Sequence, residues 1–148
     1  MKRLVCFAVS TTLSVSILAA EAPRARDLGI PFDGTPGEYN AITDVAGVTV
    51  GFETLIEDLA DDKAVRTGVT SILPRGTETN LKPVFGGWLS LNGNGEMTGT
   101  TWVEESGFIE GPIMITNTHS VGAVHEGTIR WRFENGAADA SGYWWSLP

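Results

Sequence analysis

The sequence is poorest in the groups that most often carry chemistry alone. It holds one cysteine and two histidines in 148 residues. The cysteine, Cys6, lies in the first apolar stretch, too near the amino end to follow a full apolar run as a lipid-modified residue. Without Cys6 the chain has no thiol nucleophile, no thiolate metal site and no disulfide. Positive charge is scarce as well: 10 basic side chains face 18 acidic ones, a net of −8. Such a surface repels nucleic acid and anionic membranes, so neither is expected as a partner. Only one long apolar run exists, Leu4 to Ala20, and Ser10, Thr11, Thr12, Ser14 and Ser16 dilute it. It is short for a membrane span. Lys2 and Arg3 ahead of it, Ala19 and Ala20 at its end and Pro23 beyond give the pattern of a secretory signal peptide. Residues 1–20 are therefore read as a leader cut after Ala20, since a cut after Ala22 would put Pro23 next to the scissile bond. What remains, 21–148, is one domain bound for the periplasm or the exterior, with 8 basic and 18 acidic side chains, a net of −10.

What is present points to short strands and tight turns. Hydrophobic residues make up 42% of the chain, enough for a core, and the 18 glycines fall mostly among turn signals. Residues 21–41 read as an extended arm punctuated by Pro23, Pro31 and Gly34-Thr35-Pro36-Gly37. Strands are expected at Val48–Phe52, Val69–Leu73, Val84–Leu91 and Pro112–Thr116, with Glu57–Lys63 a polar loop or frayed turn. Thr101 and Glu104 have capping-box spacing, which predicts a short helix over Trp102–Ser106 ending at Gly107. Ser120 is placed to cap a longer helix to about Phe133, with Val121, Val124, Thr128 and Trp131 on one face and Asn135-Gly136 after it. The result is a mixed α/β layer with one face of the sheet left open. The aromatic close Trp144-Trp145-Ser146-Leu147-Pro148 carries no polar tail and reads as a truncation.

Residues able to carry chemistry are few. His119 and His125 are six apart, a step that does not suit two ligands on one helix, and no metal site is expected. His125 is read on a partly exposed helix face, and His119 in a loop just after a strand. No Ser–His–Asp set and no Gly-x-Ser-x-Gly elbow is present. Gly93, Gly95 and Gly99 miss the dinucleotide fingerprint by one residue and read as turn glycines. Glu96, Glu104, Glu105 and Glu110 flank Trp102 between two apolar strands. Either a carboxylate among them meets a substrate ammonium, or they form a solvated face with Glu104 capping a helix. Asn92, Asn94 and Asn117 stand at the carboxyl ends of expected strands, where amides hold a peptide or an oxyanion, or simply make turns.

Longer blocks carry a family likeness. Arg24-Ala25-Arg26-Asp27-Leu28-Gly29-Ile30-Pro31-Phe32, Asn40-Ala41-Ile42-Thr43-Asp44-Val45 and Arg66-Thr67-Gly68-Val69-Thr70 come in order. Leu91-Asn92-Gly93-Asn94-Gly95-Glu96-Met97-Thr98-Gly99, Glu104-Glu105-Ser106-Gly107, Ile115-Thr116-Asn117-Thr118-His119-Ser120-Val121-Gly122 and Trp145-Ser146-Leu147-Pro148 follow. Together they resemble the front part of the self-processing serine aminopeptidases that include L-aminopeptidase/D-esterase and β-aminopeptidase. The resemblance implies a four-layer αββα sandwich, of which this chain is an incomplete amino-terminal part. It implies a precursor that cuts itself ahead of a serine, which becomes the nucleophile at the start of a second chain. It also implies small peptide, amide or ester substrates, no metal or organic cofactor, association with the missing carboxy-terminal chain and further homo-oligomerisation.

The family's nucleophile lies beyond the matched region, so no serine here takes that role and the chain alone is expected to be inactive. An amino-terminal serine can activate its hydroxyl through its own amine, which fits the missing histidine triad. Glu105, Asn94 and Asn117 are the substrate-binding candidates, with Glu105 or Glu96 as the anion for the substrate amine. Two other readings are weighed. An ornithine acetyltransferase shares the fold and the self-cleavage logic but is cytoplasmic, against the leader. A secreted binding module without catalytic parts is the other.

Overall fold

The computed structural model describes residues 22–95, 97–137 and 141–142. The expected leader, Glu96 and the closing Trp145-Ser146-Leu147-Pro148 lie outside these described residues. The chain divides into two compact units, one up to Thr35 and one from Pro36 onward.

In the first unit the arm folds on itself through local hydrogen bonds. The Ile30 N–H donates to the Ala25 carbonyl at 3.1 Å and the Gly29 N–H to the Arg26 carbonyl at 3.0 Å. Gly29 sits at φ 77°, which completes a Schellman turn that a side chain would strain. The Asp27 carboxylate accepts from the Arg24 N–H at 2.9 Å and closes the other end. The Arg26 guanidinium donates to the Phe32 and Asp33 carbonyls and lies over the Phe32 ring, 5.3 Å from its centre. One cation thus fixes a loop that has no ladder, as the Pro and Gly spacing suggests.

The second unit is built on a long hairpin. Strand β1 (Thr49–Asp58) pairs antiparallel with β2 (Ala64–Leu73) over ten residues, from Thr49 opposite Leu73 to Asp58 opposite Ala64. Both strands are about twice the expected length. The acidic stretch is not a loose loop: Glu57 and Asp58 belong to β1, and the turn is confined to the next five residues. Asp61 and Asp62 take positive φ, 60° and 57°, which aspartate tolerates better than most residues. Arg66 donates to the Glu57 and Val65 carbonyls and pairs with Asp58, tying the strand ends together. Strand β5 (Ile113–Thr116) adds to the other edge of β2, giving the order β1-β2-β5. The Thr116 hydroxyl donates to the Gly68 carbonyl at 2.9 Å, and Gly68 has no room for a Cβ against the Glu53 carbonyl of β1.

A second sheet has only two short strands, β3 (Val84–Phe85) and β4 (Phe108–Ile109), with Phe85 and Phe108 stacked at 5.0 Å. The expected strand Val84–Leu91 is therefore cut short. Gly86 donates its N–H to the Gly107 carbonyl, and beyond it the backbone bonds to no strand among the described residues. Leu89 and Leu91 are exposed.

Helix α1 (Thr100–Ser106) starts two residues earlier than the capping box requires, so Thr101 lies inside it. Gly99 at φ 82° is the residue before it, and the Ser106 hydroxyl bonds back to the Trp102 carbonyl at 2.7 Å. Gly107 ends the helix at φ 75°. Helix α2 (Val121–Glu134) matches the expected span, and Asn135-Gly136 ends it. Ser120 precedes it but makes no side-chain cap. Asn117 does that work one turn earlier, because its side chain reaches the amides of the intervening 3-10 turn, Thr118–Ser120.

No hydrophobic side chain among the described residues is buried. Every residue of β1 is exposed, with Phe52 at 76% and Ile56 at 72%. A sheet normally buries at least one face against another layer, so these faces are uncovered surface. No helix among the described residues is long and apolar enough to cross a membrane.

Candidate functional site

The ends of α1 and α2 and the strands β4 and β5 enclose a cleft of about 470 Å³. Its shape follows from the sequence. Gly99 and Gly107 limit α1 to two turns, so Trp102 and Val103 reach the cleft from one side. On α2, Val121, Val124 and Thr128 recur at three- and four-residue steps and face it from the other. Trp131 shares their sequence spacing but does not line the cleft. Phe108, Ile113 and Met114 form the floor, and Trp88 stands at the rim of a loop that the sequence reads as strand. Thr128 spends its hydroxyl on the Val124 carbonyl at 2.8 Å, so the α2 wall is mostly carbon.

The acidic cluster separates in space. Glu104 and Glu105 project from α1 and are exposed, and neither lines the cleft. Glu110, just after β4, is half-buried and does line it. Behind Glu110 lies Arg132 of α2, only 3% exposed. Burial holds the Arg132 pKa below the ordinary arginine value, opposed by the charge of Glu110. Gly111, at φ 85°, makes room for it: a Cβ there would stand 3.0 Å from Nε of Arg132. Sequence reading passed over Arg132. The available signal was a lone glycine at the β4–β5 link, opposite the last turn of a helix in an acidic chain.

The remaining candidates lie elsewhere. Asn117 directly follows β5, as expected, and its amide is fully engaged. Its Oδ1 accepts from the His119 and Ser120 N–H groups at 3.0 and 3.2 Å. Its Nδ2 donates to the Thr67 hydroxyl at 2.5 Å and to the Ser120 hydroxyl at 2.9 Å. Asn117 therefore stitches β2 to the start of α2. Asn92 and Asn94 do not stand at a strand end, because β3 stops at Phe85. They form an exposed Asx turn in which the Asn94 N–H donates to Asn92 Oδ1 at 2.8 Å. His119 is exposed in the 3-10 turn, while His125 is half-buried and lines the cleft. Its Nε2 is buried without a hydrogen-bond partner among the described residues. No group of three or more metal-ligating side chains occurs among the described residues.

Comparison with known proteins places this architecture. The chain is 54% identical over 127 residues to the β-peptidyl aminopeptidase BapA of Sphingosinicella microcystinivorans, which covers 83% of this chain and 32% of the relative. The protein of that name from Sphingosinicella xenopeptidilytica is 49% identical over 128 residues, covering 82% and 32%. Among solved structures, a β-aminopeptidase from Burkholderia sp. superposes with a TM-score of 0.74 at 48% identity, over 84% of this chain and 35% of that one. The L-aminopeptidase D-Ala-esterase/amidase of Ochrobactrum anthropi, a prototype serine aminopeptidase with a variant Ntn hydrolase fold, gives 0.70 at 51% identity, over 78% and 33%. The chain thus spans about a third of the length of the relatives it matches. The profile of peptidase family S58 fits residues 40–148, which include both sheets, both helices and the cleft between them, and the chain belongs to that family.

Proposed function

We propose that this chain is the amino-terminal portion of an exported, self-processing serine aminopeptidase that releases the first residue of small peptides, amides or esters. The observation that carries the reading is the S58 match over 40–148 together with about half identity to aminopeptidases three times as long. The completed fold is a four-layer αββα sandwich in which the uncovered faces of β1 and β2 pack against layers supplied by the rest of the protein. Burial of residues as exposed as Phe52 and Ile56 would contribute about 1.5–3 kcal/mol each to that association.

The nucleophile is a serine outside this chain, freed as a new amino terminus by cleavage of its own precursor. Its amine then serves as the base, so the reaction asks for no histidine, metal or organic cofactor. Glu105 and Asn94 belong to the substrate-binding surface turned toward that second chain, and Asn117, whose amide is spent on Thr67, His119 and Ser120, serves that surface by holding the backbone after β5. The exposed positions of Glu105 and Asn94 suit contact across such a boundary. The mature protein is a homo-oligomer of the periplasm or the exterior, with residues 1–20 removed on export.

Expression of the gene extended beyond Pro148 tests this. The expected product is two chains from one precursor, with aminopeptidase activity on aminoacyl amides, while the 148-residue chain alone is inactive. Replacement of the serine at the new amino terminus by alanine should leave a single uncut chain without activity. An uncut, fully active product would sink the reading.

A further inference from the structure

We infer that Asn92 is a site of spontaneous covalent modification, at which the Gly93 nitrogen closes on the Asn92 side chain and leaves aspartate or isoaspartate in the chain. The inference lies outside the aminopeptidase reading and does not depend on it. Asparagine followed by glycine occurs three times, at Asn92-Gly93, Asn94-Gly95 and Asn135-Gly136. Glycine has no Cβ to obstruct its own nitrogen as it approaches the preceding side chain, so each pair is chemically labile. The three differ in how the asparagine is held. Asn92 is exposed, and its Oδ1 accepts the Asn94 N–H at 2.8 Å. That bond draws electrons from Cγ, the carbon under attack. The Gly93 N–H meets no acceptor among the described residues, and the space around Gly93 is open. Asn135 is bonded the opposite way. Its Nδ2, the leaving nitrogen, donates to the Trp131 carbonyl at 2.9 Å. Its main-chain N–H is tied to the same turn, donating to the Trp131 and Arg132 carbonyls at 3.0 and 3.3 Å. Asn94 lies between these cases: it is exposed, but no donor among the described residues polarises its side-chain carbonyl.

The step needs only water and base. Hydroxide takes the proton of the Gly93 N–H, and the nitrogen forms a bond to Asn92 Cγ. The bond from Cγ to Nδ2 breaks, and Nδ2 leaves as ammonia after taking a proton from water. The succinimide ring that results keeps Oδ1 as a carbonyl oxygen. One water molecule then opens it. Attack at Cγ breaks the new bond and gives aspartate; attack at the main-chain carbonyl gives isoaspartate, in which the chain runs through Cγ. Either product adds one negative charge to a chain whose net is already −8. The isoaspartyl form also lengthens the main chain by one methylene between β3 and Gly99, the residue ahead of α1.

The protein expressed from the gene extended beyond Pro148 tests the assignment, kept in warm, mildly alkaline buffer with and without urea and sampled over time. Peptide mass spectra locate each exchange of amide nitrogen for oxygen, and enzymatic methylation of isoaspartyl carboxyl groups counts the rearranged product. In the folded protein Asn92 should convert roughly tenfold faster than Asn135, a barrier difference of about 1.4 kcal/mol that one hydrogen bond can supply. Asn94 should follow more slowly than Asn92. Urea should release Asn135 and erase the difference while leaving Asn92 no faster. Gly93→Val, whose branched side chain crowds the nitrogen, should all but stop conversion at Asn92. Asn94→Pro keeps the Asn92-Gly93 pair but removes the polarising N–H, and should slow Asn92 in the folded protein. In both variants Asn135 should keep its former rate, which also shows that α2 is intact. The inference is overturned if Asn135 keeps pace with Asn92 in the folded protein, if urea speeds Asn92 as much as Asn135, or if Asn94→Pro leaves the Asn92 rate unchanged.

Discussion

The β1–β2 hairpin and the region around α2 are held by different forces. The hairpin has ten consecutive paired positions, with β1 exposed throughout and β2 mostly half-buried; its register is secured by backbone bonds, the two-aspartate turn and the Arg66 clasp. Around α2 the regular ladders are only two and four residues long, and cohesion comes from side chains reaching across the sequence: Asn117 to Thr67, Asn80 to the Asn135 carbonyl, Arg132 beside Gly111. One region is specified by local geometry, the other by a few residues that each touch several segments. Substitutions should therefore act over long stretches in the first and at single points in the second.

The sharpest way to break that contrast is Arg132→Ala. Removing a side chain only 3% exposed opens a void under Gly111 and takes away the charge facing Glu110, at a cost of about 3 kcal/mol. Urea unfolding should show it, with Arg132→Met, which keeps most of the stem, recovering at least half. Next is Gly68→Ala, whose Cβ meets the Glu53 carbonyl, so β1 must shift; a loss of about 2 kcal/mol is expected. Gly51→Ala on the facing strand has open space and should change stability by under about 0.5 kcal/mol, since surface changes away from such contacts cost little. Equal effects of the two glycine changes in thermal melts would show that strand pairing there is looser than described.

Asn117→Ala should cost about 1–2 kcal/mol, the usual loss on removing such a cap. Hydrogen exchange should localise the damage to the first turn of α2 and to Thr67. Asn117→Asp keeps both accepting contacts and should lose less.

The smallest effect concerns Glu78. Its carboxylate is held below the ordinary 4.5, first by the hydrogen bond to Lys82 and then by the charge of Lys82. A lowered folded-state value means this pair stabilises the protein above pH 4.5 and loses its contribution as pH falls through the lowered value. The pair is exposed at 2.9 Å, so Lys82→Met should flatten the acid limb of the stability curve only slightly.

Much of the framework was legible because it depends on local chemistry. The spacing of Val121, Val124 and Thr128, with Gly136 beyond, marks α2; Gly107 marks the end of α1; β-branched runs mark the first half of β1 and the second half of β2. The hairpin's outer half was hidden because Glu53, Glu57 and Asp58 look like loop residues, whereas a strand with solvent on both faces accepts them. Val84–Leu91 misled for the opposite reason: Trp88, Leu89 and Leu91 have strand composition, yet no neighbouring strand among the described residues supplies the ladder. The cleft was illegible in principle, since Glu110 and Arg132 meet only through tertiary packing. The acidic cluster could be seen in the sequence, but not which of its members faces inward.

The outer edge of β1 has a consequence for how the chain meets copies of itself. Among the described residues this strand has no neighbour on its outer side, so it presents ten residues of unpaired backbone beside Phe52, Leu55 and Ile56. Such an edge is a template for intermolecular sheet, and proteins guard it with charge or proline. Here the guard consists wholly of acid groups, Glu53, Glu57 and Asp58, with no lysine or proline in the strand. Exchanging all three for their amides would strip the edge of that charge, and the strand should then add to a second copy of itself and seed intermolecular sheet.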